Sequence, residues 1–344
     1  MNKDLLKIYI PQLLPNLDYV EILNPNLGFK KRRNIFGDKD VFDDFKEPVF
    51  DLVTDITRSD FILIPHNYFL VKDNKEYLEE IAALSRSSSK KILLFAIGDS
   101  YESIDMPNII ILRMSQYGTL KRKNEIIIPA YAADLSYDTH PVYRNKGILP
   151  IVGFCGWARV LRMKDRMAIF LKNLFLFGPK RLGLYFRRKA LLVLSNSPLV
   201  RTNFIIRNSY GASWKTIGLD PKQARKEYRD NMMESDFILA PKGDGNYSVR
   251  FYEALSLGRV PILIDTDCPL PLYKDIDYSK FILKVSYKDI DRLDSIVSDF
   301  YGKISDEDWI NIQKSARYVF EHFLKIDAFF RHIFTRENIN KYIS

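Results

Sequence analysis

The length and composition of the chain predict an ordered protein of two domains. Its 344 residues exceed the usual length of one compact domain, and 47% hydrophobic residues can build sizeable cores, which excludes a largely disordered chain. The two cysteines, Cys155 and Cys268, show no CxxC or Cys/His spacing, which argues against a disulfide framework and against structural zinc. The formal net charge is +9.

The first residues, MNKDLLKIYI, lack the long apolar core of a signal peptide. No later stretch approaches the ~18 to 20 apolar residues that are needed to span a bilayer. We therefore expect a cytoplasmic protein, with any membrane contact peripheral and at the inner face of the plasma membrane.

The first half of the chain alternates short apolar runs with helical patterns. Continuous apolar strands separated by helices are typical of a parallel sheet that is covered on both faces. One intervening segment, NKEYLEEIAALSRSSS, places Tyr77, Ile81 and Leu84 on one helical stripe. The predicted strands are KIYI at 7–10, DFILIP at 60–65, KILLFAI at 91–97, NIIIL at 108–112 and EIIIP at 125–129.

A polar stretch from Tyr131 to Gly147 interrupts this rhythm, and the second half then repeats it. We predict two doubly wound α/β domains, residues 1–146 and 147–305, that face a cleft. Residues 306–344 carry apolar side chains at helical spacing and should form helices that pack back across the cleft. The second set of predicted strands is IVGF at 151–154, NFIIR at 203–207, DFILAP at 236–241, RVPILI at 259–264 and FILKV at 281–285.

The positive charge is concentrated between Arg159 and Lys189. This basic segment holds ten Lys and Arg residues and one acidic residue, Asp165, so its net charge equals that of the whole chain. Apolar residues alternate with the charges, as in a helix pair that contacts an anionic membrane or a lipid-linked acceptor. Alternatively, the long basic side chains only cover an apolar face. No nucleic-acid motif accompanies the charge, so nucleic acid is not an expected partner.

The segment from Ser235 to Leu272 has the order strand, Gly-rich loop, helix, Gly turn, strand. The glycines of KGDGN let backbone amides approach a ligand, and Ser248 stands where the N-cap of the following helix belongs. A helix N-terminus behind such a loop is an anion site at the carboxyl ends of the strands.

Arg250 and Glu253 lie one turn apart in that helix. The Arg250 guanidinium can donate two parallel hydrogen bonds to phosphate oxygens, and Glu253 can accept hydrogen bonds from vicinal ribose hydroxyls. Together they would hold a nucleoside diphosphate. The alternative is a surface ion pair between the two side chains, worth only ~0.2 to 0.5 kcal/mol.

The motifs PKG, SVRFYEAL, GRVPILID and LPL, in this order, resemble the nucleotide-sugar-binding signature of the exostosin-like glycosyltransferases. The resemblance is specific over about forty residues. It implies a GT-B fold, inverting sugar transfer from a nucleotide sugar, and no obligatory metal. It also implies that Ser248 and Arg250 contact the diphosphate and Glu253 the ribose, with Lys242 and Gly243 lining the donor phosphates. Residues 147–305 would then be the donor domain and 1–146 the acceptor-side domain.

Animal and plant members of this family generally carry an N-terminal membrane anchor, whereas this sequence starts directly with a strand pattern. We therefore expect a bacterial enzyme that acts on a glycan or lipid-linked glycan in surface polysaccharide or lipopolysaccharide synthesis. The alternative is a catalytically inactive nucleotide-binding protein or a membrane-associated adaptor.

Inverting transfer also requires a general base, which we expect from the first domain. The candidates are Asp99 and His66, which follow predicted strands, although Asp99 also suits an ordinary turn or N-cap.

Gly156, after the first strand of the second domain, either admits the diphosphate or only forms a tight turn. Asp265 and Asp267 form a D-x-D triplet, but we expect a polar loop there rather than a metal site.

Overall fold

A computed structural model describes residues 5–28, 41–43, 45–136, 142–160, 163–209 and 218–343. In this part of the chain two parallel sheets account for the strands. The last strand of the first sheet ends at Ile127 and the first strand of the second begins at Ile151, on either side of the predicted domain boundary.

The first sheet has six parallel strands in the order β2-β1-β3-β4-β5-β6. Strands β3, β4 and β5 are buried almost throughout, as expected for continuous apolar runs between two helix layers. Strand β2 was not predicted, because it is short and lies at the edge of the sheet. The strands are β1 (Lys7–Tyr9), β2 (Asp51–Val53), β3 (Phe61–Leu63), β4 (Lys91–Ala96), β5 (Ile109–Arg113) and β6 (Glu125–Ile127).

The second sheet has five parallel strands in the order β11-β10-β9-β7-β8. The chain leaves β7 first for β8 and later for β9 on its other side, so the strand order reverses between β7 and β9. Ligands bind outside the carboxyl ends of the strands at such a switch point. The strands are β7 (Ile151–Trp157), β8 (Arg201–Arg207), β9 (Phe237–Leu239), β10 (Val260–Asp265) and β11 (Leu283–Ser286).

The helices follow the sequence signals for their ends. Asn74 caps α3 by accepting a hydrogen bond from the Tyr77 amide at 3.2 Å, and Ser89 ends it in the left-handed conformation. The helices are α1 (Asn24–Leu27), α2 (Tyr68–Val71), α3 (Lys75–Ser88), α4 (Met163–Phe175), α5 (Gly183–Ser195), α6 (Pro221–Met233), α7 (Val249–Ser256), α8 (Leu293–Lys303), α9 (Asp306–Val319), α10 (Ile326–Ile333) and α11 (Arg336–Ile343), with a π-helical turn at Phe320–Leu324.

The C-terminal helices lie against the first sheet. The Phe330 ring contacts Phe45 and Phe95 with ring centroids 6.3 and 5.8 Å apart, and Arg336 pairs with Asp60 at 3.0 Å. Phe45, Phe95 and Phe330 belong to one buried apolar cluster that also includes Phe251 of α7. The cluster therefore joins the two sheets through the C-terminal helices.

Asn246 of the Gly-rich loop is a second junction between the domains. Its amide nitrogen donates to the carbonyl oxygens of Gln116, Thr266 and Asp267 at 2.9 to 3.2 Å, and its oxygen accepts from the Thr266 hydroxyl at 2.6 Å. Its backbone amide donates to the Ser115 hydroxyl at 3.0 Å. This buried network fixes the Gly-rich loop against the first domain.

Candidate functional site

A cavity of about 340 Å³ lies at the carboxyl ends of the second sheet. Its walls come from the end of β7, the Gly-rich loop, and one face each of α6 and α7. Of the described residues that line it, Asp99 belongs to the first domain. The cavity therefore lies at the switch point between β7 and β9 and faces the first domain across the cleft.

The N-terminus of α7 opens onto this cavity. Ser248 occupies the predicted N-cap position with extended backbone angles, but its side chain makes no capping hydrogen bond. Ser248, Val249 and Arg250 all line the cavity. The first turn of a helix leaves backbone N–H groups without an intrahelical partner, so this wall can bind an anion.

The Arg250 guanidinium is fixed by the strand beside it. Its Nη2 donates to the carbonyl oxygen of Cys155 at 2.9 Å, and its Cζ lies 4.5 Å from the ring centroid of Phe154 and 5.8 Å from that of Tyr228. A Cβ atom at Gly156 would lie 2.7 Å from the same Nη2. A residue without a side chain is therefore required at position 156 for Arg250 to take this position. This is a third role for Gly156, beside the diphosphate contact and the tight turn that the sequence suggested.

Glu253 is buried and is held by α6 instead of by Arg250. Its Oε1 accepts from Arg225 Nη1 at 3.0 Å and its Oε2 from the Tyr228 hydroxyl at 2.5 Å. Burial and the Glu253 charge raise the pKa of Tyr228 well above its usual value, so the hydroxyl stays a donor. The alternative of a simple Arg250–Glu253 surface pair does not describe these contacts. Sequence reasoning missed Arg225 and Tyr228, because their helix lies just before the motif and carries no motif of its own that indicates ligand binding.

Two more arginines add positive charge to the cavity wall. Arg187 of α5 is 7% exposed and donates to the Trp157 carbonyl oxygen at 2.6 Å. Arg207 is the last residue of β8, and its Nη2 lies 3.2 Å from both the Ala224 carbonyl oxygen and a Glu227 carboxylate oxygen. Arg187 belongs to the basic segment, but its burial at the cavity separates it from the exposed charges of that segment. The position of Arg207 at a strand end was the available signal.

The structure places Lys242 away from the cavity, in contrast to Gly243, which lines it. The Lys242 ammonium donates to the Tyr117 hydroxyl at 2.9 Å and to the Pro179 carbonyl oxygen at 2.7 Å. Burial lowers the pKa of Lys242 to about 8. The prediction that Lys242 contacts the donor phosphates is therefore wrong. Lys242 instead connects the first domain, through Tyr117, with the second domain.

The two candidate bases differ in their surroundings. His66 is fully buried, with its Nε2 accepting from the Leu14 amide at 2.9 Å and its Nδ1 3.0 Å from the Asp18 carbonyl oxygen. Both ring nitrogens thus interact with backbone groups, so the prediction that His66 is a candidate general base is wrong. Asp99 is exposed and lines the cavity opposite α7, so it stays the candidate.

The D-x-D carboxylates have separate partners. Asp265 accepts from the amides of Asp267 and Cys268 at 3.0 and 3.2 Å and pairs with Lys284 at 3.0 Å. Asp267 accepts from the amide and hydroxyl of Thr119 at 2.9 and 2.7 Å, which links the two domains. Within the described ranges, no group of three or more His, Cys, Asp or Glu side chains is arranged to hold a metal ion.

Most of the described residues of the basic segment lie in α4 and in the first half of α5, which follow β7. Among the helices of the described residues, none is long and apolar enough to cross a membrane.

Two doubly wound α/β sheets, with a positively charged cavity at the switch point of the second sheet, define a protein of the GT-B type, as predicted. Residues 179–300 match the Exostosin GT47 domain, which confirms the exostosin-like resemblance of the segment that builds the cavity.

Similar proteins match part of the chain. A probable glycosyltransferase of Arabidopsis thaliana is 32% identical over 101 residues, which are 29% of this chain and 21% of that protein. A probable glucuronosyltransferase of Oryza sativa subsp. japonica is 27% identical over 125 residues, which are 35% of this chain and 28% of that protein. The match thus spans less than a third of either relative.

A solved glycosyltransferase from Rickettsia africae aligns with 85% of this chain and 84% of its own, at 10% identity and a TM-score of 0.38.

Proposed function

We propose that this protein is an inverting glycosyltransferase that binds a nucleotide-sugar donor in the cavity at the N-terminus of α7. The observation that carries the proposal is that Arg250 and Glu253, one turn apart, both line this cavity, with Asp99 on the opposite domain. An arginine for the diphosphate, a carboxylate for the ribose and a carboxylate across the cleft are the three groups that the reaction needs.

The donor phosphates would lie at the first turn of α7, between Ser248 and Arg250. Charge-assisted hydrogen bonds from a guanidinium and from backbone amides are the strong contacts for a diphosphate. Arg187 increases the positive potential of the same wall, and Arg207, which is paired with Glu227, adds hydrogen-bond donors there. These side chains supply the positive charge that a divalent metal supplies elsewhere, so the proposed reaction is independent of metal.

Glu253 would bind the ribose. Arg225 and Tyr228 hold its carboxylate in one orientation, and each engages one oxygen. An ionised carboxylate has about four lone-pair sites, so both oxygens can accept further hydrogen bonds from ribose hydroxyls. The preorganised carboxylate loses little side-chain entropy when the donor binds.

The chemistry is a single displacement at the anomeric carbon. The acceptor oxygen attacks opposite the diphosphate, the bond to the diphosphate breaks, and Asp99 takes the acceptor proton. The leaving diphosphate keeps the electron pair and is stabilised by Arg250 and the α7 amides.

The proposed acceptor is a glycan or a lipid-linked glycan, in the synthesis of a bacterial surface polysaccharide or lipopolysaccharide. The relatives named above include a probable glucuronosyltransferase, which supports sugar transfer but does not specify the sugar used here. Contact of the basic segment with the inner face of the plasma membrane would bring a lipid-linked acceptor to the cleft.

A calorimetric titration with UDP, GDP and CMP, each with and without Mn²⁺, tests this proposal. We expect saturable binding of one nucleotide that does not change when the metal is removed. Binding that depends on Mn²⁺ would move the site toward Asp265 and Asp267, and absence of any binding would contradict the proposal and favour the adaptor alternative.

A further inference from the structure

The basic segment carries a row of large apolar side chains that are exposed to solvent. Single exposed apolar residues are ordinary on a protein surface, but a contiguous patch marks an interaction site. The exposed fractions are 71% for Met163, 55% for Met167, 48% for Leu171, 55% for Leu174, 77% for Phe175 and 73% for Phe177.

Four of these side chains lie on one face of α4. Residues 163, 167, 171 and 174 are spaced by four, four and three positions, which places them on one stripe of a helix. Another face of α4 is turned toward the protein, because Asn173 Oδ1 accepts from the Leu182 amide at the start of α5, at 3.2 Å. The apolar stripe is thus presented to solvent instead of to the core.

Exposed lysines accompany this stripe. Lys164 and Lys172 of α4 and Lys180 after it are all exposed. A helix with aromatic and aliphatic residues on one face and lysines beside it is suited to the interface of an anionic bilayer, where the apolar face enters the acyl boundary and the ammonium groups meet the headgroups. A protein partner of this chemistry would need an acidic apolar groove, whereas an anionic lipid surface supplies both features without a specific shape.

The stripe is close to the cleft. The chain after α4 reaches the first domain, where the Lys180 ammonium lies 5.7 Å from the ring centroid of Tyr101, and the Pro179 carbonyl oxygen accepts from Lys242. Helix α5, which follows, contributes Arg187 to the cavity wall. A membrane that contacts α4 would therefore adjoin the mouth of the cavity.

We propose that the exposed apolar face of α4, continued by Phe175 and Phe177, docks the protein on an anionic membrane surface. The docking is separate from nucleotide binding, because none of these six apolar residues lines the cavity.

Cosedimentation with phosphatidylglycerol-containing vesicles, compared with pure phosphatidylcholine vesicles, tests the docking. We expect the parent protein to bind the anionic vesicles and a Phe175→Asp/Phe177→Asp variant to bind at least about tenfold more weakly. The matched control is Val142→Asp/Ile148→Asp, which places the same two charges at apolar positions that are 64% and 100% exposed. This control should bind like the parent, and Lys164→Gln/Lys172→Gln should weaken binding mainly at low salt.

Both aspartate variants should keep the parent's melting temperature and nucleotide affinity, which separates loss of docking from loss of fold or of the proposed function. The docking proposal is overturned if the parent binds neither kind of vesicle, or if the Phe175/Phe177 variant binds as well as the control. It is also overturned if analytical ultracentrifugation shows a parent dimer that the Phe175/Phe177 variant abolishes, since a second copy would then cover this face.

Discussion

Arg250 of α7 and Cys155 of β7 are joined by a hydrogen bond of 2.9 Å from the guanidinium to the carbonyl oxygen. The bond connects the two elements that border the switch point. The Arg250 Nε is buried and has no hydrogen-bond partner among the described residues. The guanidinium is thus oriented before any ligand binds, and its Nε remains an unused hydrogen-bond donor. Because folding has already fixed the side chain, Arg250 loses little conformational entropy when a ligand binds.

Gly156→Ala should weaken nucleotide binding and also lower stability. The new Cβ would stand 2.7 Å from Arg250 Nη2 and displace the flexible end of that side chain. The Gly156 φ of 157° is one that L residues rarely adopt, so the backbone of the alanine variant is strained. Loss of a well-placed charged hydrogen bond corresponds to about 10- to 100-fold in affinity. Calorimetry and a thermal melt measure the two effects.

Gly302→Ala is the matched control for Gly156→Ala. Gly302 lies in α8, and a Cβ there meets nothing within 4 Å. It should leave affinity unchanged and raise stability by up to about 1 kcal/mol. Equal nucleotide affinities for the Gly156 variant and the parent would contradict the role given to Gly156.

Tyr228→Phe should reduce nucleotide affinity by a smaller factor, roughly three- to tenfold. The variant keeps the ring beside Arg250 but removes the hydroxyl that holds Glu253 Oε2. Tyr318→Phe, at a tyrosine that is 55% exposed, serves as the control. If Tyr228→Phe binds like the parent while Glu253→Gln does not, the orientation of Glu253 by Tyr228 is unimportant.

Asn246→Ala should destabilise the protein by about 1 to 3 kcal/mol, because three carbonyl oxygens and the Thr266 hydroxyl lose their buried partner. Urea unfolding, compared with exposed Asn311→Ala in α9, measures the difference. A loss no larger than that of the Asn311 variant would show that the loop is not fixed by Asn246.

The Asp134–Arg317 pair should make stability depend on pH in the acid range. Burial alone would raise the pKa of Asp134, but the hydrogen bonds and charge of Arg317, at 2.7 and 3.0 Å, outweigh it and hold the pKa below its usual range. The stabilisation is therefore complete above the unfolded pKa of about 4 and is lost as the pH falls below it toward the folded pKa.

Asp134→Asn should accordingly cost about 1 to 3 kcal/mol at pH 7, and the difference from the parent should shrink as the pH falls through 4 toward 3 in urea unfolding. Asp291→Asn, at a side chain that is 67% exposed, should cost less than about 0.5 kcal/mol at either pH. If the free energies of unfolding of the parent and Asp134→Asn differ by the same amount at all pH values, the titration of Asp134 does not contribute to stability.

Much of the fold was predictable because its strands are buried on both faces and appear as continuous apolar runs. Strand β2 escaped prediction since an edge strand of three half-buried or exposed residues leaves no such pattern. The Gly-rich loop and α7 were predictable from local signals, namely the glycines, Ser248 and the turn at Gly258.

Side-chain environments created by distant residues were not predictable. Lys242 sits in the motif, but Tyr117 and Pro179 bind it. The contacts of His66 with Leu14 and Asp18 likewise depend on tertiary packing. The number of basic residues between Arg159 and Lys189 indicates a charged segment, but it does not show in which direction each side chain points. The burial of Arg187 at the cavity could therefore not be predicted.

The most direct test of the central claim is a calorimetric titration of the Arg250→Ala variant with the nucleotide that the parent protein binds. The control is Arg292→Ala, at an arginine whose side chain is 72% exposed. The account predicts at least about tenfold weaker binding to Arg250→Ala, with parent-like binding to the control and parent-like melting for both. Parent-like binding to Arg250→Ala would contradict the account, because the cavity at α7 would then not be the nucleotide site.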